Sequence, residues 1–189
     1  MTLQSWWHWR RARFFLFLGK QNKAIAALKD ALAIDAANTE AAGALGFLYG
    51  ETGEFEQAAA QFQSVMRAQP DNADTHFNLG YIHQKQQRHD DAIALFKSAT
   101  AINPALDRAW FGLGLSQAAL KQHTSAITAF ERAAKLQPMN PHALYELGLQ
   151  HHALGQRDKI SEVIEKLKQF DPKATAQLIA ATKPALPQA

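Results

Sequence analysis

Residues 107–140 read DRAWFGLGLSQAALKQHTSAITAFERAAKLQPMN, and this stretch decides the fold. Apolar side chains fall at helical spacing in two runs: Leu113, Ala118 and Leu120, then Ala126, Ile127, Phe130 and Ala133. Shifted copies of the series Trp110, Leu113, Gly114, Ala126, Phe130, Ala133 and Pro138 stand on both sides of it. A ladder of prolines sets the period, because Pro70, Pro104, Pro138 and Pro172 lie 34 residues apart. Self-similarity at such a period marks stacked supersecondary repeats.

Aligned on the prolines, the chain divides into repeats 5–38, 39–72, 73–106, 107–140 and 141–174. The second keeps Leu45, Gly46, Tyr49, Ala58, Phe62 and Pro70. The third keeps Leu79, Gly80, Ala92, Phe96, Ala99 and Pro104, with His76 and His83 at positions where larger aromatics stand elsewhere. In the fifth, Ile160, Ile164 and Leu167 replace the Ala, Phe and Ala of the second helix. The first is the least regular, with Arg11 and Ala12 in place of Leu-Gly and Ala36 in place of proline. Gly46, Gly80, Gly114 and Gly148 each sit inside a first helix, where glycine costs about 0.5–1 kcal/mol relative to alanine. Their recurrence predicts close helix approach, with Ala58, Ala92 and Ala126 as the facing small surface and Phe62, Phe96 and Phe130 between repeats. Gly19, Gly53 and Gly155 fall in the turns between helices.

The pattern resembles the tetratricopeptide repeat (TPR): W-x2-L-G-x2-Y, then A-x3-F, then P, over 34 residues. The resemblance implies an all-α fold, a right-handed superhelical solenoid of about five helix-turn-helix repeats over residues 5–174. Residues 1–4 then form a tail, and residues 175–183 form a capping helix laid down by Leu178 and Ile179. Residues 184–189 read as a loose tail. Helices of about 14 residues are marginal alone, so each repeat depends on its neighbours.

Composition narrows the function classes. There is no cysteine, which excludes disulfides, thiolate nucleophiles and cysteine-held metals. The net charge of +3 is uneven: residues 1–30 hold six basic residues against Asp30 alone, leaving the rest of the chain slightly acidic. A nucleic-acid binder spreads Lys and Arg over a face of its body, so nucleic acid is disfavoured as a partner. No apolar run approaches the ~20 residues of a membrane span, and Phe14 to Leu18 is too short for a signal peptide. The expectation is a cytoplasmic protein, and the Ala- and Gln-rich composition suggests a bacterial source. Phosphate loops, G-x-S-x-G and H-E-x-x-H are missing, so neither an enzyme nor a cofactor or metal site is expected. His151 and His152, adjacent on a helix, point about 100° apart and are poorly placed to share an ion.

In tetratricopeptide proteins the first helices line a concave face. Carried over by position, the resemblance implies a groove of Phe47, Phe77, Asn78, Tyr81, Gln84, Arg108, Phe111, Leu115, His142, Tyr145, Leu149 and His152, with Glu146 beside them. The aromatic at the fifth position recurs as Phe77, Phe111 and Tyr145; these rings either close contacts between helices or line the groove for a partner. The clamp for the C-terminus of Hsp70 or Hsp90 is not matched, because its five positions carry Gly43, Phe47, Asn78, Arg108 and Gly112. A helix or extended segment of a partner protein suits this groove better.

The first helix, SWWHWRRARFFLFL over residues 5–18, departs from the pattern. Capping predicts Trp7, Phe14, Phe15 and Leu18 on the core, with Trp6, Trp9 and Phe17 outward beside Arg10 and Arg13. Trp with Arg suits a membrane surface or a protein interface. The expected docking set is therefore Trp6, Trp9, Arg10, Arg13 and Phe17, for the inner membrane surface, a membrane-protein subunit or a homodimer. The leading expectation is a non-catalytic adaptor or assembly factor. The alternative is a structural subunit of a larger complex held through this helix.

Overall fold

The computed structural model describes residues 2–183; the tail expected over 184–189 lies outside them. The described chain is all-α. Helices α1 (Leu3–Phe17), α2 (Gln21–Ile34), α3 (Thr39–Thr52), α4 (Phe55–Ala68), α5 (Ala73–Lys85) and α6 (His89–Ile102) come first. They are followed by α7 (Asp107–Ala119), α8 (His123–Leu136), α9 (Pro141–Ala153), α10 (Arg157–Lys168) and α11 (Pro172–Thr182). Helix α1 starts at Leu3, two residues ahead of the expected boundary, because the Thr2 hydroxyl accepts the Ser5 backbone N–H and caps it. The helices divide into two compact bodies, Met1–Ile102 and Asn103–Ala189.

The 34-residue period is written into the backbone. Gly19, Gly53, Gln87, Lys121 and Gly155 all have φ between 57° and 80° and recur at that interval. Each closes the turn between the two helices of a repeat, and the next N–H reaches back to the same carbonyl each time. Lys20 N–H donates to Phe15 at 2.8 Å, Glu54 to Tyr49 at 2.8 Å and Arg88 to His83 at 2.9 Å. The pattern continues with Gln122 to Gln117 at 2.8 Å and Gln156 to His151 at 2.9 Å. A side chain in this left-handed conformation costs roughly 1 kcal/mol that glycine does not incur. Gln87→Gly is therefore expected to stabilise the protein by about 0.5–1 kcal/mol in urea denaturation, and Gly53→Ala to destabilise it. Helix starts follow the same ruler: Asn38, Asn72 and Asn140 cap α3, α5 and α9 by accepting the N–H of Ala41, Thr75 and His142.

Packing inside each repeat differs from expectation in one respect. Phe62, Phe96 and Phe130, expected between repeats, stand nearest to the first-helix glycines of their own repeats, while Ala58, Ala92 and Ala126 are fully buried. A Cβ on Gly46 would lie 3.1 Å from the Phe62 ring, on Gly80 3.0 Å from Phe96, and on Gly114 2.6 Å from Phe130. The glycine is thus a notch that receives the phenylalanine of its own repeat. Gly148 has no such phenylalanine, since Ile164 stands at that place; its notch receives Leu178 of α11, 2.6 Å from the Cβ position. Leu178 is fully buried with Leu144, Leu147, Val163, Leu167 and Ala174.

His76 is explained by a shared hydrogen bond. Trp110 donates its indole N–H to the Pro104 carbonyl at 3.0 Å, and His76 Nε2, at the equivalent position, bonds Pro70 O at 2.8 Å. A carbonyl only accepts, so this nitrogen carries the proton. His83 and His151 are buried two repeats apart and place Nδ1 on Gln86 and Gln156 at 3.3 and 2.6 Å. These histidines serve the repeat architecture.

Candidate functional site: the first-helix faces and the N-terminal helix

In the N-terminal body, α3 and α5 are neighbouring first helices. Phe47 on α3 is 58% exposed and Tyr81 on α5 is 40% exposed, high values for aromatic side chains inside helices. Phe77 is half-buried. Its ring stacks on Tyr81 at 6.5 Å and meets the buried Phe96 ring at 5.9 Å. Phe77 therefore joins the core to the surface and holds Tyr81 in place from below. Lys85 lies 5.1 Å from the Tyr81 ring centroid, and Asn78 and Gln84 are half-buried on the same helix.

In the C-terminal body, Arg108, His142 and His152 are exposed. Phe111, Leu115, Tyr145 and Leu149 are half-buried and pack against the core, with Phe111 meeting Phe130 at 5.7 Å. Part of each of these four side chains is structural. Glu146 stands among them, half-buried, and burial raises its carboxyl above the usual carboxylate range while His142 partly offsets the effect. The folded state thus holds the Glu146 proton more tightly than the unfolded state. Its ionisation costs stability as pH rises past the ordinary carboxylate value. Glu146→Gln is expected to raise the melting temperature at neutral pH, with the gain vanishing near about pH 3, where both states are protonated.

Helix α1 rests on the core through small side chains. Ser5 and Ala12 are fully buried, and the Ser5 hydroxyl donates to Ala31 O at 3.0 Å while accepting the Asn38 amide at 2.9 Å. Trp9 lies between Ser5 and Ala12 on that face and packs on the core, as does Phe15. Trp9 is half-buried: it packs on the core and also borders the surface beside Arg13. One expectation is corrected. Trp7, Phe14 and Leu18 do not cap the core; they are 61%, 58% and 44% exposed. Phe17 is 86% exposed, Trp6 is half-buried, and Arg10 and Arg13 are exposed. Arg10 lies over Trp6 at 4.8 Å and Arg13 over Trp9 at 5.0 Å. Among the described residues no helix is long and apolar enough to cross a membrane.

Three family models, each described as a tetratricopeptide repeat, match residues 8–38, 44–107 and 107–140. The chain belongs to the tetratricopeptide repeat family. No curated protein matches the sequence. Among solved structures, this tetratricopeptide repeat protein is similar to MamA, with a TM-score of 0.84 and 24% identity over 98% of this chain and 99% of that one. Residues 41 to the end of MamA from Desulfovibrio magneticus RS-1 give 0.80 and 19% identity over 97% and 99%. YrrB, described as a TPR protein with an unusual peptide-binding site, gives 0.78 and 21% identity over 90% and 89%. At these identities the likeness establishes the helical TPR solenoid fold. Sequence reasoning missed Trp7 and Phe14 as surface residues of this tetratricopeptide repeat protein. The available signal was the pair Ser5 and Ala12, whose small size at helical spacing marks the side that faces the core.

Proposed function

We propose that the protein is a non-catalytic interaction module, an adaptor or assembly factor, that holds a peptide or helix of a partner protein on the first-helix faces of its repeats. The observation that carries this reading is the exposure of Phe47 and Tyr81 on neighbouring first helices. Two large rings left in water on adjacent helices favour a site that a partner completes. Asn78 and Gln84, on the same helix as Tyr81, supply polar contacts that fix register. The helix-in-groove and extended-strand modes of peptide recognition both fit such a surface. The peptide site stated for YrrB agrees with this use of the fold.

The test is co-purification from native extract with a Phe47→Ala/Tyr81→Ala variant as comparison. Both positions are exposed, so folding and binding do not mix as they would at Phe111 or Tyr145. The variant is expected to lose its main protein partner, with about 2–4 kcal/mol of binding removed. Retention of every partner would defeat the proposal.

The exposed aromatics and arginines of α1 support a second reading, peripheral membrane association through this helix on the cytoplasmic side. A structural subunit clamped through the same helix would instead co-purify in fixed stoichiometry after Phe47 and Tyr81 are replaced.

A further inference from the structure

The rotation of α1 decides what its outer face can bind. At 100° per residue, the buried Ser5 and Ala12 and the core-packed Trp9 define one side of the helix. Phe17, Arg10, Leu3, Phe14, Trp7 and Leu18 fall in a stripe about 100° wide on the opposite side. All six are exposed, with Leu3 at 81% and Phe17 at 86%. Arg11 borders the stripe on one edge, and Trp6 followed by Arg13 on the other. The helix is therefore apolar on two faces.

We propose that the outer face of α1, formed by Leu3, Trp7, Arg10, Arg11, Phe14 and Phe17, docks the protein on an anionic phospholipid bilayer. This rests on the membrane reading above and names the face and the lipid charge. Charge complementarity selects the occupant. Helix α1 contains three arginines and no acidic residue, and residues 1–30 carry a net +5. Two acids meet the helix region away from the stripe: Asp30 lies 3.6 Å from His8, and Asp35 accepts the Thr2 backbone N–H at 3.2 Å. Shallow clefts on both sides of Arg10 are lined by Trp6, Trp9, Arg13 and Phe14 and by Trp7 and Arg11. They combine aromatic walls with guanidinium donors, the chemistry that meets a lipid phosphate at the headgroup level. A second copy fits less well, since pairing the stripe with itself sets Arg10 and Arg11 against arginine.

Fifteen residues make a helix of about 22 Å, too short for the ~30 Å hydrocarbon layer, so α1 lies in the interface plane. Its inner face stays on the core through Ser5, Trp9 and Ala12. The whole first body is thereby held at the surface in one orientation.

The experiment is flotation of the full chain with vesicles of phosphatidylcholine alone and of phosphatidylcholine mixed with phosphatidylglycerol. Binding is expected to the anionic vesicles and to fall on the order of 100-fold in a Trp7→Gln/Phe14→Gln/Phe17→Gln variant. An Arg10→Gln/Arg11→Gln variant is expected to lose roughly 25-fold, while Arg10→Lys/Arg11→Lys keeps most binding. Every position changed is exposed, and matching helical spectra and melting curves confirm that each variant folds. Equal binding to neutral and anionic vesicles overturns the lipid-charge assignment. Binding to anionic vesicles that survives the triple substitution overturns the face but leaves membrane association standing. No binding to either vesicle defeats both. A concentration-dependent dimer that the triple variant abolishes, without vesicle binding, reassigns the face to self-association.

Discussion

Phe130→Ala is expected to lower the stability of the C-terminal body by about 3–5 kcal/mol. The ring is fully buried, fills the notch at Gly114 and meets Phe111 at 5.7 Å with an interplanar angle of 56°. Removing it leaves a cavity lined by a glycine, which has no side chain to move in. Urea denaturation read by circular dichroism gives the loss directly. Phe111→Ala is the internal comparison; its ring is only half-buried, so it should cost about half as much. Gly114 supplies the sharper test. Alone, Gly114→Ala forces a methyl to within 2.6 Å of the ring and is expected to cost about 1–3 kcal/mol. In the Phe130→Ala background the same methyl enters vacant space, so the double variant should be more stable than the sum of the two losses predicts. Additive losses would mean that glycine and phenylalanine are not the paired notch and plug inferred from their distance.

Leu178→Ala is expected to cost about 2–5 kcal/mol and to act first on α11. This helix has 11 residues, a length at which an isolated helix does not hold in water. Its attachment depends on Leu178, fully buried at the notch of Gly148. Amide exchange across residues 172–182 should therefore accelerate ahead of the rest of the C-terminal body. Ile179→Ala, at a half-buried position next to it, should cost less. Equal losses at the two positions would mean that burial against Gly148 does not set the strength of the attachment.

Much of this architecture was legible because a repeat states each physical rule several times. The proline ladder, the turn residues and the recurring Leu-Gly pairs all carry the same 34-residue interval, so a single irregular copy does not obscure it. The partner of each first-helix glycine was not legible. Periodicity places Ala126 and Phe130 on one side of α8 without saying which stands nearer to Gly114, and the longer side chain does. That His76 takes over the proline-carbonyl bond made by Trp110 needs distances.

The candidate site was legible unevenly. Family position located the first-helix face, yet it could not divide Phe111 or Tyr145 between core and surface, because a ring at that position does both. Helix α1 misled for a related reason. With apolar residues around its whole circumference, amphipathicity gives no inward direction, and the small residues Ser5 and Ala12 decide it.

The central claim is that a partner protein sits on the first-helix faces. Site-specific photocrosslinking in the native host tests it most directly, with a benzophenone side chain at Phe47 or Tyr81 and a control at exposed Lys97 on the second helix α6. The account predicts a discrete protein adduct from positions 47 and 81 and none from 97. Adducts from Lys97 with none from Phe47 or Tyr81 would contradict it.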